Sequence, residues 1–196
     1  MDSAPPIFPP DNVGGGGGAT GLLQMTWQPM PKSRWGGKTM EYRLFYRKHE
    51  EDENAMSGQW EIKTTENPYF YAYVGEENYY LRYDVMVQAK NEKGYGPNSS
   101  VAIVYSAEKL PELQPTFVAA NALNGTAGLV EWIGVPNTRE DAHGQIGGYQ
   151  INYWEEGNTL CDGIFESDAQ SINIYGDATE GLLIGMTPGE RFGNFR

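Results

Sequence analysis

This chain contains few histidines and cysteines, the residues most often used in nucleophilic catalysis and zinc binding. Its 196 residues include two histidines, His49 and His143, and one cysteine, Cys161. A zinc site takes three or four histidine, cysteine or carboxylate ligands, and a nucleophilic triad needs a histidine beside its serine or cysteine. Neither half of the sequence offers such a set, so we expect no enzyme, no cofactor and no metal site. A single cysteine also excludes an intrachain disulfide.

Two acidic clusters are the best candidates for calcium binding, because hard cations prefer clustered carboxylates. The first cluster is Glu50-Glu51-Asp52-Glu53, and the second is Glu155-Glu156. Both lack the alternating ligand spacing and the turn glycine of a calcium-binding loop. We therefore interpret both clusters as solvated turns between strands.

Five consecutive glycines, Gly14 to Gly18, raise the alternative of a phosphate-binding loop. Such a loop follows a strand, opens a helix and carries either a Lys-Ser/Thr pair or a distant acidic residue. Here a strand-like run follows at Leu22, and only Ala19 and Thr20 stand between. We interpret the glycines as a flexible first strand at the edge of a sheet.

Two triplets could accept N-linked glycans: Asn98-Ser99-Ser100 and Asn124-Gly125-Thr126. About one such triplet arises by chance in a chain of this size, so two of them favour secretion only modestly. Both fall where loops or strand ends are expected, and a glycan needs a surface position. We therefore predict that Asn98 and Asn124 are exposed.

The net charge of the chain limits its partners. Acidic residues outnumber basic ones 26 to 14, which gives a formal charge of −12. Such a surface repels phosphate backbones and anionic lipid, so we expect no nucleic-acid partner. No run approaches the roughly 18 apolar residues of a membrane-spanning helix, and no signal peptide opens the chain. If the protein is secreted, we expect its signal and any membrane anchor to lie outside this sequence.

Short runs in which apolar and polar residues alternate indicate an antiparallel β-sandwich. The 25 glycines, 12 prolines and 13% aromatic content fit a chain that turns often and packs large side chains on pleated sheets. The runs that place alternate residues inward are LLQMTW at 22–27, YRLFYRK at 42–48, YDVMVQAKN at 83–91, LVEW at 129–132 and GYQINYW at 148–154. From them we predict core positions at Trp27, Tyr42, Tyr83, Trp132 and Tyr149.

The pattern occurs twice. Trp27 and Trp132 are 105 positions apart, and Tyr42 and Tyr149 are 107 apart. A repeat of about a hundred residues is large enough to form its own hydrophobic core. The repeat therefore indicates tandem domains rather than a solenoid. We place one domain at residues 1–107 and the other at 108–196.

The first repeat resembles a fibronectin type III domain. The resemblance rests on Trp27, on Tyr42-Arg43-Leu44-Phe45-Tyr46, on the alternating run from Tyr83 to Asn91, and on Gly94-Tyr95-Gly96-Pro97. It implies that Tyr83 occupies the tyrosine corner, where the hydroxyl ties the start of the strand to the backbone of the preceding turn. Against the pattern, residues 76–83 lack the Leu-x-Pro corner.

A narrower resemblance covers about residues 5–154. The stretches PPDNVGGGGGATGLLQMTW, VYSAEKLPELQPTFV and GYQINYW are similar to the second and third fibronectin modules of the contactin family of adhesion molecules. The resemblance implies a parent protein with immunoglobulin domains, held on the outer cell surface by a lipid (GPI) anchor outside this chain. It implies a stalk or spacer that mediates cell–cell contact at neuronal or septate-type junctions. The implied partners are other immunoglobulin/fibronectin adhesion proteins and neurexin-like receptors.

Two alternatives stay open. The first is the ectodomain of a phosphatase- or kinase-class receptor; the cytokine class is disfavoured because the chain contains no WSxWS box. The second is an intracellular muscle-type fibronectin array, which glycosylation would exclude. The full-length gene would distinguish them.

We expect the second repeat to be incomplete. Phe192 stands where the first repeat has Tyr83, and only Gly193-Asn194-Phe195-Arg196 follows it, whereas the first repeat continues for two strands to Tyr105. Strand C of that repeat would then keep unpaired backbone groups along one edge.

Overall fold

A computed structural model describes residues 3–50, 58–155, 170–188 and 192–193. By their internal contacts the residues form two compact units, 1–109 and 110–196. Strands dominate both units, and the helical residues in the described ranges are two 3-10 turns at Lys32–Arg34 and Glu76–Asn78. No helix in these ranges is long and apolar enough to cross a membrane. The all-β fold class predicted from the sequence is confirmed.

The first unit is a sandwich of two antiparallel sheets. One sheet has the order β1-β2-β5, and the other has the order β4-β3-β6-β7, with β8 also paired to β6. The strands are β1 Gly14–Gly15, β2 Leu22–Thr26, β3 Glu41–Lys48, β4 Glu61–Thr65, β5 Tyr69–Tyr73, β6 Arg82–Asn91, β7 Gly94–Asn98 and β8 Ala102–Tyr105. From the sequence we expect a seven-stranded sandwich at residues 1–107. The described residues of this unit form eight strands, because a break at 99–101 divides the strand beside β6 into β7 and β8.

The core of the first unit follows the alternation of its strands. Leu44, Val85 and Val87 are fully buried between the sheets, and Tyr42 is nearly so. Trp27 meets the ring of Tyr42 edge to face, with 5.1 Å between the ring centroids. Because strand side chains alternate between faces, the residues between these positions point to solvent.

The described residues of the second unit also form two sheets, with the orders β13-β10-β9 and β12-β11-β14. Its strands are β9 Thr116–Asn124, β10 Ala127–Ile133, β11 Gly148–Glu155, β12 Gln170–Tyr175, β13 Glu180–Ile184 and β14 Phe192–Gly193. β14 pairs with β11 through Trp154 and Glu155. Residues 189–191 and 194–196 are outside the described ranges, so the predicted incompleteness of this repeat stays a prediction.

The core of the second unit contains Val130, Trp132, Ile151, Tyr153 and Leu183. Tyr149 packs on this cluster but is only half-buried, with its ring 5.2 Å from that of Trp132. Its hydroxyl accepts a hydrogen bond of 3.1 Å from the backbone N–H of Val135. Tyr149 therefore lies at the margin of the core rather than within it.

Candidate functional site

The two histidines lie in different units and form no catalytic set. His49 Nδ1 is 2.7 Å from Asp84 Oδ1, and the Arg47 guanidinium donates to the other carboxylate oxygen at 3.0 Å. Asp84 is buried, forms an ion pair with Arg47 and contacts the His49 ring through its other oxygen, so His49 is engaged in a structural contact. His143 is buried too, although the sequence places it in a polar loop, and its Nδ1 is 2.8 Å from the carbonyl oxygen of Leu110.

The other candidates for chemistry gain no support. In the ranges that the structure covers, no three His, Cys, Asp or Glu side chains are grouped to hold a metal ion. Gly14 and Gly15 pair with Thr26 and Met25 as the edge strand β1, so the glycine run opens a sheet rather than a helix. Cys161, Glu156 and the acidic residues 51–53 lie outside the described residues.

One apolar cavity of about 300 Å³ lies in the second unit, where the sequence gives no sign of a cleft. Its lining includes Val118, Val130, Trp132 and Ile151, with Tyr149 at one side. The indole N–H of Trp132 is buried and has no hydrogen-bond partner in the described structure, and the same holds for Trp27 in the first unit. The lining contains no carboxylate, histidine or cysteine, and the hydroxyl of Tyr149 accepts the backbone N–H of Val135.

The first glycan acceptor, Asn98, ends strand β7 and is exposed. The middle residue of its triplet, Ser99, is buried instead. Its hydroxyl accepts the backbone N–H of Val87 at 3.0 Å and donates to the carbonyl of Ser100 at 2.8 Å. The triplet is therefore anchored by its central serine, while the side chain that would carry a glycan is at the surface.

The second acceptor, Asn124, lies in the hairpin between β9 and β10 and is also exposed. Its side-chain oxygen accepts the backbone N–H of Thr126 at 2.9 Å and the hydroxyl of Thr126 at 3.1 Å. This is an Asx-turn, in which an asparagine side chain replaces a backbone acceptor two residues before the donor. The three residues of the triplet are thus held in one tight turn at the surface.

The tyrosine-corner bond implied by the family resemblance is not seen. Tyr83 is buried, which raises the pKa of its hydroxyl, with smaller contributions from the charges of Glu77 and Glu61. The hydroxyl makes no hydrogen bond within the described part of the chain. Ser106 ties the turn instead, because its Oγ accepts the N–H of Leu81 at 2.9 Å and donates to the carbonyl of Asn78.

Glu92 is a second structural residue that the sequence patterns do not indicate. It follows β6, and its carboxylate accepts the backbone N–H groups of Lys38, at 2.9 Å, and Thr39, at 3.2 Å, together with the Thr39 hydroxyl at 3.1 Å. The bond from Lys38, followed by those from the N–H groups of Glu92 itself and Thr39, lowers the pKa of Glu92 from 4.5 to about 2. Glu92 therefore fixes the loop that leads into β3.

The two sandwiches define the class of protein: a tandem fibronectin type III segment. The solved structure of the FN1–FN3 domains of chicken contactin-1 matches 97% of this chain and 60% of that chain, with a TM-score of 0.70 and 28% identity. No protein-family model matches the sequence.

The sequence relatives give the family more narrowly. Drosophila melanogaster contactin is 31% identical over 184 residues, and Gallus gallus contactin-1 is 30% identical over 194 residues. The chain is therefore a contactin homologue over most of its length. Human neural cell adhesion molecule L1 is 28% identical over 185 residues. These matches cover 93–97% of this chain but only 13–17% of each relative.

Proposed function

We propose that this chain is a non-catalytic spacer segment in the extracellular part of a cell-adhesion protein. The observation that supports the proposal best is the similarity to contactins along nearly the whole chain. Rigid sandwiches in series would hold recognition domains at a set distance from the membrane.

The domain boundaries, localisation and partners are part of the same proposal. Domains at 1–107 and 108–196 would correspond to two neighbouring fibronectin modules of the parent protein. That protein would be held at the outer cell surface by a lipid anchor and would contact other immunoglobulin/fibronectin adhesion proteins and neurexin-like receptors. Exposed Asn98 and Asn124 support an extracellular setting, because glycan acceptors must reach solvent.

The spacer role is tested in the full-length protein that contains this segment. Cells expressing the intact protein, a protein lacking the segment, or one with an unrelated fibronectin pair of equal length in its place are compared in a cell-aggregation assay. We expect deletion to reduce aggregation and the unrelated pair to restore most of it. Aggregation that survives deletion unchanged, or that the unrelated pair does not restore, would contradict a spacer role.

A further inference from the structure

The outer face of the larger sheet in the first unit is both basic and aromatic. On β3, alternation turns Arg43, Phe45 and Arg47 outward while Tyr42, Leu44 and Tyr46 are buried. Lys90 of β6, Tyr95 of β7 and Ile62 of β4 extend the same face, and Tyr95 and Ile62 are 48% and 45% exposed. We call Arg43, Phe45, Arg47, Ile62, Lys90 and Tyr95 the basic–aromatic face.

Arg43 differs from the other two cations of this face. Arg47 is paired with Asp84, and Lys90 is paired with Glu41. The guanidinium carbon of Arg43 is instead 5.0 Å from the ring centroids of both Phe45 and Tyr95. No carboxylate of the described structure pairs with it. Two rings therefore hold a guanidinium whose donors remain available, and arginine and aromatic side chains are the ones enriched where proteins bind one another.

The second unit carries an outer face of the opposite kind, on β10 and β13. The inward residues of these strands include Val130, Trp132 and Leu183, so their neighbours in the sequence point outward. We call the outward residues Leu129, Glu131, Ile133, Glu180, Leu182 and Ile184 the acidic–apolar face. Ile133, Leu182 and Ile184 are 56%, 52% and 70% exposed.

Two like charges stand together in this face. Glu131 and Glu180 are direct cross-strand partners in the β10–β13 ladder, and both are exposed. Like charges directly opposite each other destabilise a sheet. The amide of Asn121 donates to Glu131 at 3.2 Å, but no lysine or arginine of the described residues pairs with either glutamate. A cation from another molecule would relieve this repulsion.

The basic residues of the whole sequence are unevenly distributed between the two units. Residues 1–109 contain 11 of the 14 basic residues and have a formal charge of −3. Residues 110–196 contain the other three basic residues and have a formal charge of −9. Both units are net acidic, but the basic residues are concentrated in the unit that carries the basic–aromatic face.

We propose that copies of this chain associate head to tail, with the basic–aromatic face of one copy against the acidic–apolar face of the next. Arg43 would enter between Glu131 and Glu180, and the aromatic and aliphatic side chains around each charge would exclude water. A contact between two different faces is heterologous, so each copy keeps one free face and association can continue. This property goes beyond the proposed spacer role, and its failure would leave that role untouched.

Sedimentation analysis of the intact chain tests the proposal. We expect the average mass to rise above the 21.8 kDa monomer with increasing protein concentration, and to fall again in high salt because salt screens the charges. Arg43→Glu, or the double change Glu131→Lys with Glu180→Lys, should weaken association at least about tenfold. Matched controls are Lys48→Glu, on the alternate side of β3, and Glu140→Lys, in a loop of the second unit; both should associate like the original chain.

Mixing the two defective variants gives the sharpest result. The Arg43→Glu chain keeps its acidic–apolar face, and the double glutamate variant keeps its basic–aromatic face. Each variant alone should stay monomeric, and an equimolar mixture should associate again, because the intact faces can pair and the reversed charges of the two altered faces are complementary as well. Circular dichroism and thermal unfolding check that the variants are folded. The proposal is overturned if the original chain is monomeric at every concentration, if Arg43→Glu associates normally, or if the mixture does not pair.

Discussion

The aromatic pair of Trp27 and Tyr42 recurs in the second unit as Trp132 and Tyr149. The ring centroids are 5.1 Å apart in the first pair and 5.2 Å in the second. In both units the tyrosine hydroxyl accepts a backbone N–H, from Met30 at 2.8 Å and from Val135 at 3.1 Å. In each unit the two rings pack against each other between the sheets. The tyrosine hydroxyl also holds the loop that follows the tryptophan.

Replacing Trp27 with alanine should destabilise the first unit by about 3–5 kcal/mol, the usual cost of removing a large buried aromatic side chain. That is a large part of the roughly 5–15 kcal/mol by which a domain is stable. The measurement is urea unfolding followed by circular dichroism. Trp60→Ala is the matched control, because Trp60 is only partly buried and stacks on Arg47 at 4.5 Å. Equal losses from the two changes would contradict a central role for Trp27.

Removing the two tyrosine hydroxyls should give unequal effects. Tyr42→Phe leaves a buried N–H without its acceptor, which costs about 1–3 kcal/mol. The bond from Val135 to Tyr149 is only partly buried, so water can replace the lost acceptor and Tyr149→Phe should cost less. Unfolding free energies of the two variants, each against the unchanged chain, test this order. A larger loss for Tyr149→Phe would show that burial does not set the strength of these bonds.

The carboxylate of Glu92 makes the stability of the first unit depend on pH. Its pKa in the folded chain is about 2, against 4.5 for an unperturbed carboxyl group. A lowered pKa stabilises the folded state above the unfolded value, and this contribution is lost as the pH falls from about 4.5 toward about 2. In the Glu92→Gln variant the free energy of unfolding should therefore fall less steeply than in the original chain as the pH is lowered through this range.

The control for Glu92 is Glu66→Gln, a neutralisation at another exposed position of the same unit. That variant should keep the acid-dependent loss of the original chain. If Glu92→Gln and the original chain lose stability in parallel between about pH 4.5 and about pH 2, the loop contact of Glu92 does not contribute.

Glycosylation tests the extracellular part of the proposed function. Secretion of the chain from animal cells behind a supplied signal peptide should give a mass increase that an N-glycan-cleaving enzyme removes. Asn98→Gln and Asn124→Gln should each remove one part of the increase, and the double variant should remove all of it. A secreted product without any shift would count against use of both sites.

The strands with strict alternation were the ones that the sequence could reveal. β2 and β3 bury every second residue, and β6 does so with one exception, the buried Asp84, so their apolar and polar positions differ clearly. β9 is exposed along its whole length and includes three alanines, so its pattern carries no contrast between faces. β5 has the sequence Tyr-Phe-Tyr-Ala-Tyr, and its three tyrosines are exposed. Hydrophobicity alone does not tell which face of such an aromatic strand is buried.

The side chains that hydrogen-bond to the turns could not be predicted from the sequence for a different reason. Glu92 is 54 positions from Lys38, and Ser106 is 25 positions from Leu81. Local patterns report which face of a strand a residue occupies, but not which distant backbone group its side chain meets. The family resemblance implies that Tyr83 makes the hydrogen bond of the corner. The structure shows that Ser106 makes the hydrogen bonds of this turn.

The last prediction compares Ser106 with Tyr83. The tyrosine-corner pattern implies that the hydroxyl of Tyr83 holds the turn, whereas in the structure the hydroxyl of Ser106 does so. Ser106 is 1% exposed, and its hydroxyl meets the N–H of Leu81 and the carbonyl of Asn78. Ser106→Ala leaves these groups unpaired and should cost about 1–3 kcal/mol.

Tyr83→Phe should be nearly neutral, because it removes a hydroxyl that makes no hydrogen bond in the described structure and keeps the buried ring. Urea unfolding gives both free energies. Amide hydrogen exchange at Leu81 adds a local readout, because its N–H should lose protection in Ser106→Ala and keep it in Tyr83→Phe. The opposite order, with Tyr83→Phe costly and Ser106→Ala neutral, would restore the tyrosine as the residue that holds the corner.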